Sequence, residues 1–117
     1  MDNVLKKKSF DFAVRIVNLF KYLTGEKKEF ILSKQILRSG TSVGAMVREA
    51  EHAQSKADFI NKLSVAQKEI NETIYWLELL HSTQYLSTEL FKSLNTDAIE
   101  IIKLVTSILK TTKSKLH

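Results

Sequence analysis

Residues 38–51 read RSGTSVGAMVREAE, and the fold turns on whether this stretch is a loop or a helix. Gly40 and Gly44 are two of only three glycines in the chain, and Ser39, Thr41, Ser42 and Ala45 crowd around them. A loop of that composition can cradle a phosphate on its backbone N–H groups. This one lacks the lysine–hydroxyl ending of a P-loop and follows no strand-like run. The hydrophobic phase is also unbroken: Ile36, Val43, Val47 and Ala50 are spaced seven, four and three residues apart, so the period passes through Gly40 without a slip. The spacing therefore predicts one helix over about 33–54. Its two interior glycines cost ~1 kcal/mol each relative to alanine. In return, Gly40, Thr41, Gly44 and Ala45 form a smooth strip on which another helix, of the same subunit or of a neighbouring one in an oligomer, can come closer than the usual ~8–10 Å.

Working outward, three further helices are predicted, over about 9–24, 58–82 and 87–113. The first has Ser9 placed as an N-cap and Gly25 as a C-cap. Asp11, Arg15, Asn18 and Lys21 make one narrow polar stripe on it, and the rest, including Phe10, Phe12, Val14, Val17 and Phe20, is apolar. A surface helix buries a stripe roughly 100° wide; this apolar face is much wider. The expectation is that it packs on its own bundle on one side and on another subunit on the other, with Phe12 and Phe20 among the contacts. Ser55 and Asp58 have capping-box spacing at the start of the third helix, with Asp in the place of Glu or Gln. Phe59, Leu63, Ala66, Ile70, Ile74, Leu77 and Leu80 alternate by three and four there, as do Phe91, Leu94, Ala98, Ile101, Val105 and Ile108 in the fourth. Short connections favour antiparallel neighbours, so the predicted fold is all-α, an up-down-up-down four-helix bundle in one domain.

Composition agrees. The 117 residues contain no proline, which permits long helices, and no cysteine, which removes disulfides and thiolate metal sites and fits a cytoplasmic protein. No apolar run approaches the ~18 residues of a membrane span. The opening MDNVLKKKSFDFAVRIVNLF has a basic start and an apolar continuation, but Asp11, Arg15 and Asn18 interrupt it at helical spacing and no small-residue cleavage site follows, so it is read as an amphipathic helix.

Two Glu-x-x-His patterns, Glu49 to His52 and Glu78 to His81, have the spacing used in di-iron bundles. They fall at opposite ends of the predicted bundle, ~30 Å apart at 1.5 Å per residue, so they cannot share a metal within one subunit. Glu69 and Glu72 share a helix face but have no nucleophile or orienting group at recognisable spacing. They are read with Arg38, Arg48 and Glu49 as a structural ion-pair network within or between subunits, Lys62 being a further partner, which could fix register and stoichiometry more than stability. Trp76 is read as a core or interface anchor with Tyr75 at its edge. The expectation is a non-enzymatic protein with no metal, no cofactor and no small-molecule substrate.

The net charge is +5 and the pI about 9.5, a balance that favours polyanionic partners. An up-down topology gathers Lys6, Lys7, Lys8, Lys56, Lys62, Lys110, Lys113 and Lys115 at one end, against the acids Asp2, Glu51 and Asp58. The opposite end mixes Lys27 and Lys28 with Glu26, Glu29 and Glu89. The lysine-rich end is the candidate polyanion-binding site; the alternative is that its lysines are solubilising, with Lys110, Lys113 and Lys115 favoured at a helix C-terminus by its dipole. No aromatic RNA-reading module is visible, which points to recognition of shape and backbone.

Residues 32–80, LSKQILRSGTSVGAMVREAEHAQSKADFINKLSVAQKEINETIYWLELL, with FAVRIVNLFKYL of the first helix, closely resemble the four-helix-bundle family encoded in intervening sequences of bacterial 23S rRNA genes, also called S23-type ribosomal proteins. Arg38, Ser42, Arg48, Glu49, Lys62, Lys68, Glu69 and Glu72 recur in register, while Met46 stands where family members commonly carry asparagine. The resemblance implies a ring-like homopentamer associated with ribosomal RNA and no established catalytic residues. A related bundle is an accessory nucleic-acid-binding subunit of the reverse transcriptase of diversity-generating retroelements. The resulting expectation is a homopentamer that binds structured RNA electrostatically; the alternative is a protein-interaction scaffold or such an accessory subunit.

Overall fold

The structure, a computed structural model, describes residues 3–115. Within them are four α-helices and no strands: α1 Asn3–Gly25, α2 Leu32–Glu51, α3 Lys56–Ser82 and α4 Thr88–Ser114. They pack side by side into a bundle 50 Å long and 21 by 20 Å across. α1 lies against α2 and α4, and α3 against α2 and α4. The α1–α4 edge is the loosest of the four.

One apolar cluster runs through the bundle. Each helix contributes the residues that recur every three or four positions, among them Ile16 and Leu23, Ile36 and Val43, Ile70 and Leu77, and Ile101 and Val105, all buried. Leu5 is fully buried too, and it explains why α1 begins six residues before the Ser9 cap expected from sequence. The core face continues from Phe12 back through Leu5, and the lysines between them are good helix formers. Ser9 is instead buried inside the helix, its hydroxyl donating to the Lys6 carbonyl at 3.1 Å.

The α1–α2 connection also departs from expectation. Gly25 ends α1 without a left-handed turn; Lys28 takes that conformation, with φ 55°. α2 then starts one residue before Ser33, and its exposed amides are satisfied by the Glu29 carboxylate, which accepts from the N–H groups of Ile31, Leu32 and Ser33 at 3.3, 3.0 and 2.7 Å. Glu29 is 8% exposed. Burial pushes its carboxyl up, but the backbone donors outweigh that and hold it below the ordinary 4.5. At the next turns, Ser55 accepts from the Asp58 N–H at 3.0 Å and Ser87 from the Leu90 N–H at 3.1 Å, and each serine caps the helix that follows. α2 stops at Glu51, three residues short of the expected 54, and α3 starts at Lys56, two residues before the expected 58.

Candidate nucleic-acid interface

The glycine strip of α2 faces α1 of the same chain. A Cβ on Gly40 would lie 2.7 Å from Cγ1 and 2.9 Å from Cγ2 of buried Ile16, and one on Gly44 would lie 3.3 Å from the Ser9 carbonyl oxygen. Both glycines thus let α1 and α2 approach closely. Thr41 is half-buried beside them and Ala45 is exposed. Phe12 is a core residue, 1% exposed, and Phe20 is half-buried.

The wide apolar face of α1 is only partly covered. Phe10, Val14 and Val17, at helical spacing, form a stripe of exposed large apolar side chains. It borders a groove lined by Ala13, Thr41, Gly44 and Ala45. Arg48 places its guanidinium 5.4 Å from the centre of the Phe10 ring, a cation–π contact, and makes no ion pair with a described residue. Within one chain, the expected network therefore forms without Arg48.

Arg38 is the centre of that network. It bridges α2 to α3, reaching Glu69 at 3.1 Å and also Glu72. Glu72 in turn accepts from the Trp76 indole N–H at 3.0 Å, and Tyr75 meets Trp76 edge-on at 5.0 Å. The Glu69 side chain is 7% exposed. Alongside it the buried hydroxyls of Ser39 and Thr73 lie 2.9 Å apart. Glu49 pairs separately with Lys62 at 3.6 Å. Every carboxylate here has a cation, and no hydroxyl lies beside a free base; the arrangement is suited to holding α2 against α3. Among the described residues no group of three or more His, Asp or Glu side chains is placed to hold a metal ion.

The lysine-rich end divides into neutralised and free charges. Lys6 pairs with Glu51 at 3.0 Å, Lys7 with Asp11 at 2.7 Å, Lys8 with Glu100 at 2.7 Å, and Lys62 with Glu49 and, at 4.0 Å, Asp58. The Glu100 carboxylate beside Lys8 raises the lysine above its ordinary 10.5, and the lysine holds Glu100 below 4.5. Hydrogen bonding to Lys6 likewise lowers Glu51. More acids meet this end than the topology alone places there, because Asp11, Glu49 and Glu100 reach it from within helices; Asp2 lies outside the described residues. By contrast Lys56, Lys110, Lys113 and Lys115 are exposed and make no ion pair with a described residue. Residues 101–115 of α4 and its end contain Lys103, Lys110, Lys113 and Lys115 and no acid. The free positive charge therefore sits on α4 more than on α1. Lys103 and Lys92 were missed as candidates, since which lysines are free depends on the acids of other helices.

No helix of the described residues is long and apolar enough to cross a membrane. A family model described as 23S rRNA-intervening sequence protein matches residues 1–107. Among solved structures, the chain is similar to a crystal structure of a protein of unknown function from the S23 ribosomal protein family of Bacteroides thetaiotaomicron VPI-5482. The two are 65% identical with a TM-score of 0.93, over 93% of this chain and 97% of the other. No curated protein matches the chain.

Proposed function

Because the chain belongs to the 23S rRNA-intervening sequence protein family, we propose that it binds structured RNA, of the kind found in 23S rRNA, as a non-enzymatic homo-oligomer, in the cytoplasm and without a cofactor. The observation that carries this reading is the sorting of its lysines. Lys56, Lys110, Lys113 and Lys115 stay free at one end of the bundle while the neighbouring acids are taken up by Lys6, Lys7, Lys8 and Lys62. Unpaired exposed lysines can exchange condensed counterions for contacts to phosphates, so affinity comes mainly from a salt-sensitive backbone term.

Oligomer formation is supported by the uncovered stripe of Phe10, Val14 and Val17. Apolar side chains set contiguously along an exposed helix face mark a contact surface. The number five comes from the family resemblance. In a ring, the free lysines of each subunit would be repeated around one rim, which multiplies the local field.

Glutamine at Lys56, Lys113 and Lys115 tests the site. The variant should keep its helix content and mass but lose affinity for a structured 23S rRNA fragment, with a shallower dependence on salt. Unchanged affinity would remove these residues from the interface. The apolar stripe also favours a second reading, a scaffold or accessory subunit for a nucleic-acid enzyme. A protein that co-purifies in fixed stoichiometry through nuclease treatment and high salt, and is released by Val14→Glu, would favour it.

A further inference from the structure

The free charge on α4 is arranged along a line. At 100° per residue, Lys92, Lys103 and Lys110 fall within about 20° of one another around the helix and span about 27 Å of its length. All three are exposed and none makes an ion pair with a described residue. The acids nearest the row are Glu100, which pairs with Lys8 at 2.7 Å and also feels the charge of Lys103 without an ion pair to it, Asp97, which is held by Arg15 at 2.7 Å, and Glu89, one turn before Lys92.

The hydroxyls of α4 divide by partner: Thr88 lies 3.1 Å from the His81 ring nitrogen, and Ser93 accepts from Arg15 at 2.9 Å. Those of Thr96, Thr112 and Ser114 donate to carbonyls of their own helix. Thr106 only accepts, from the Gln67 amide at 2.9 Å, and the hydroxyls of Ser107 and Thr111 bond to no described residue. The protons of Thr106, Ser107 and Thr111 thus remain available between and beside Lys103 and Lys110. Lysine and hydroxyl donors are the side chains that contact nucleic-acid phosphates. α4 also carries none of the large exposed apolar side chains of the described residues; those lie on α1, α3 and the α1–α2 connection. Its outer face therefore offers a second copy no large apolar side chain to cover.

We infer that the outer face of α4, through Lys92, Lys103 and Lys110 with Thr106, Ser107 and Thr111, is a surface that lies along the sugar-phosphate backbone of double-helical RNA. The inference rests on the RNA-binding reading and extends it from the end of the bundle to its side. A straight row on a rigid helix keeps its lysines at fixed separations, so that they meet phosphates where the row crosses the strands of a stiff duplex. The face has no exposed aromatic residue on which an unpaired base would stack, as a single-strand site requires.

The test is K92Q/K103Q, which leaves the lysines at the end of the bundle untouched. It is measured by salt titration against an RNA duplex of about twenty base pairs, long enough to span the row. Each lysine lost from a phosphate should lower the slope of log affinity against log salt by about one, so the slope should fall by about two. Affinity at low salt should fall about tenfold or more. K27Q/K28Q, with the same charge change at the opposite end, should leave the slope as in wild type. If K92Q/K103Q binds like wild type while K56Q/K113Q/K115Q is weakened, the RNA reading stands and the α4 surface is wrong. If K27Q/K28Q loses as much as K92Q/K103Q, the effect is net charge alone and the surface is again overturned. If the wild-type protein does not bind the duplex but binds structured single-stranded RNA, the partner assigned to the face is wrong. No binding to either RNA removes the parent reading as well. Circular dichroism and light scattering on each variant exclude unfolding or dissociation as the cause.

Discussion

Glu29 and Gly40 carry much of the local specification of this fold, and each does so through a single contact type. Glu29 supplies the acceptor that α2 lacks at its start. A lost N-cap costs typically ~1 kcal/mol, so Glu29→Ala should lower stability by about that much in denaturant unfolding, with Glu29→Gln in between. The pH dependence follows from its depressed carboxyl. The charged form is favoured on folding, so this stabilisation is present above the ordinary 4.5 and is lost as pH falls through the lower folded value. Acid unfolding of Glu29→Gln should accordingly be less steep than that of wild type. Gly40 poses the opposite problem. Alanine there would gain ~1 kcal/mol in helix propensity but would press on both branches of Ile16, and overpacking costs ~1–3 kcal/mol. The expected sign is destabilising, and a double-mutant cycle with Ile16→Ala should show the penalty relieved. Equal effects of Gly40→Ala in both backgrounds would contradict the close-approach account. The strip itself was legible in the sequence, because its small residues sit in phase with the core. Its partner was not, since periodicity identifies a smooth face without saying which helix lies on it. Glu29 was hidden for a different reason: it lies outside the helix it caps, at a place where charge counting put it among solvated residues.

At the scale of elements, α1 and α4 meet most loosely and are joined by side chains reaching across: Lys8 to Glu100, and Arg15 to Asp97 at 2.7 Å and to Ser93 at 2.9 Å. These groups are partly exposed, so salt should weaken the junction. The Lys8 share of the pairing is present below its ordinary 10.5 and disappears as pH rises through the raised folded value. The Glu100 share is present above 4.5 and is lost as pH falls through the lowered one. Arg15→Met removes the other link. Hydrogen exchange should then speed up in α1 and α4 while the amides at the α2–α3 contact stay protected; uniform acceleration would mean that the edge is not an independent weak point. Helix number and approximate span could be read from the three-and-four alternation, and the spacing of Ser55 and Asp58 marks the start of α3. The early start of α1 could not, because Lys6, Lys7 and Lys8 mask Leu5 as a core position.

For the whole molecule, the wide apolar face of α1 and the unbalanced charge are the two features a single bundle leaves unexplained. The first is the argument for self-association. Val14→Glu together with Val17→Glu should reduce the mass by light scattering to that of a monomer without lowering helix content, since neither side chain belongs to the core. The second is the argument for RNA. Lysine enrichment at one end was plain from the sequence once the topology was assumed. The division into spent and free lysines needed the structure, because Lys8 meets an acid 92 positions away. The measurement that bears most directly on the central proposal is a titration of the intact protein, sized by light scattering in the same buffer, against a structured 23S rRNA fragment at several salt concentrations. Saturable binding to the oligomer, with log affinity falling steeply and linearly against log salt, is the predicted result. No binding even at low salt would contradict it and leave the apolar stripe, with a protein partner, as the feature that function must explain.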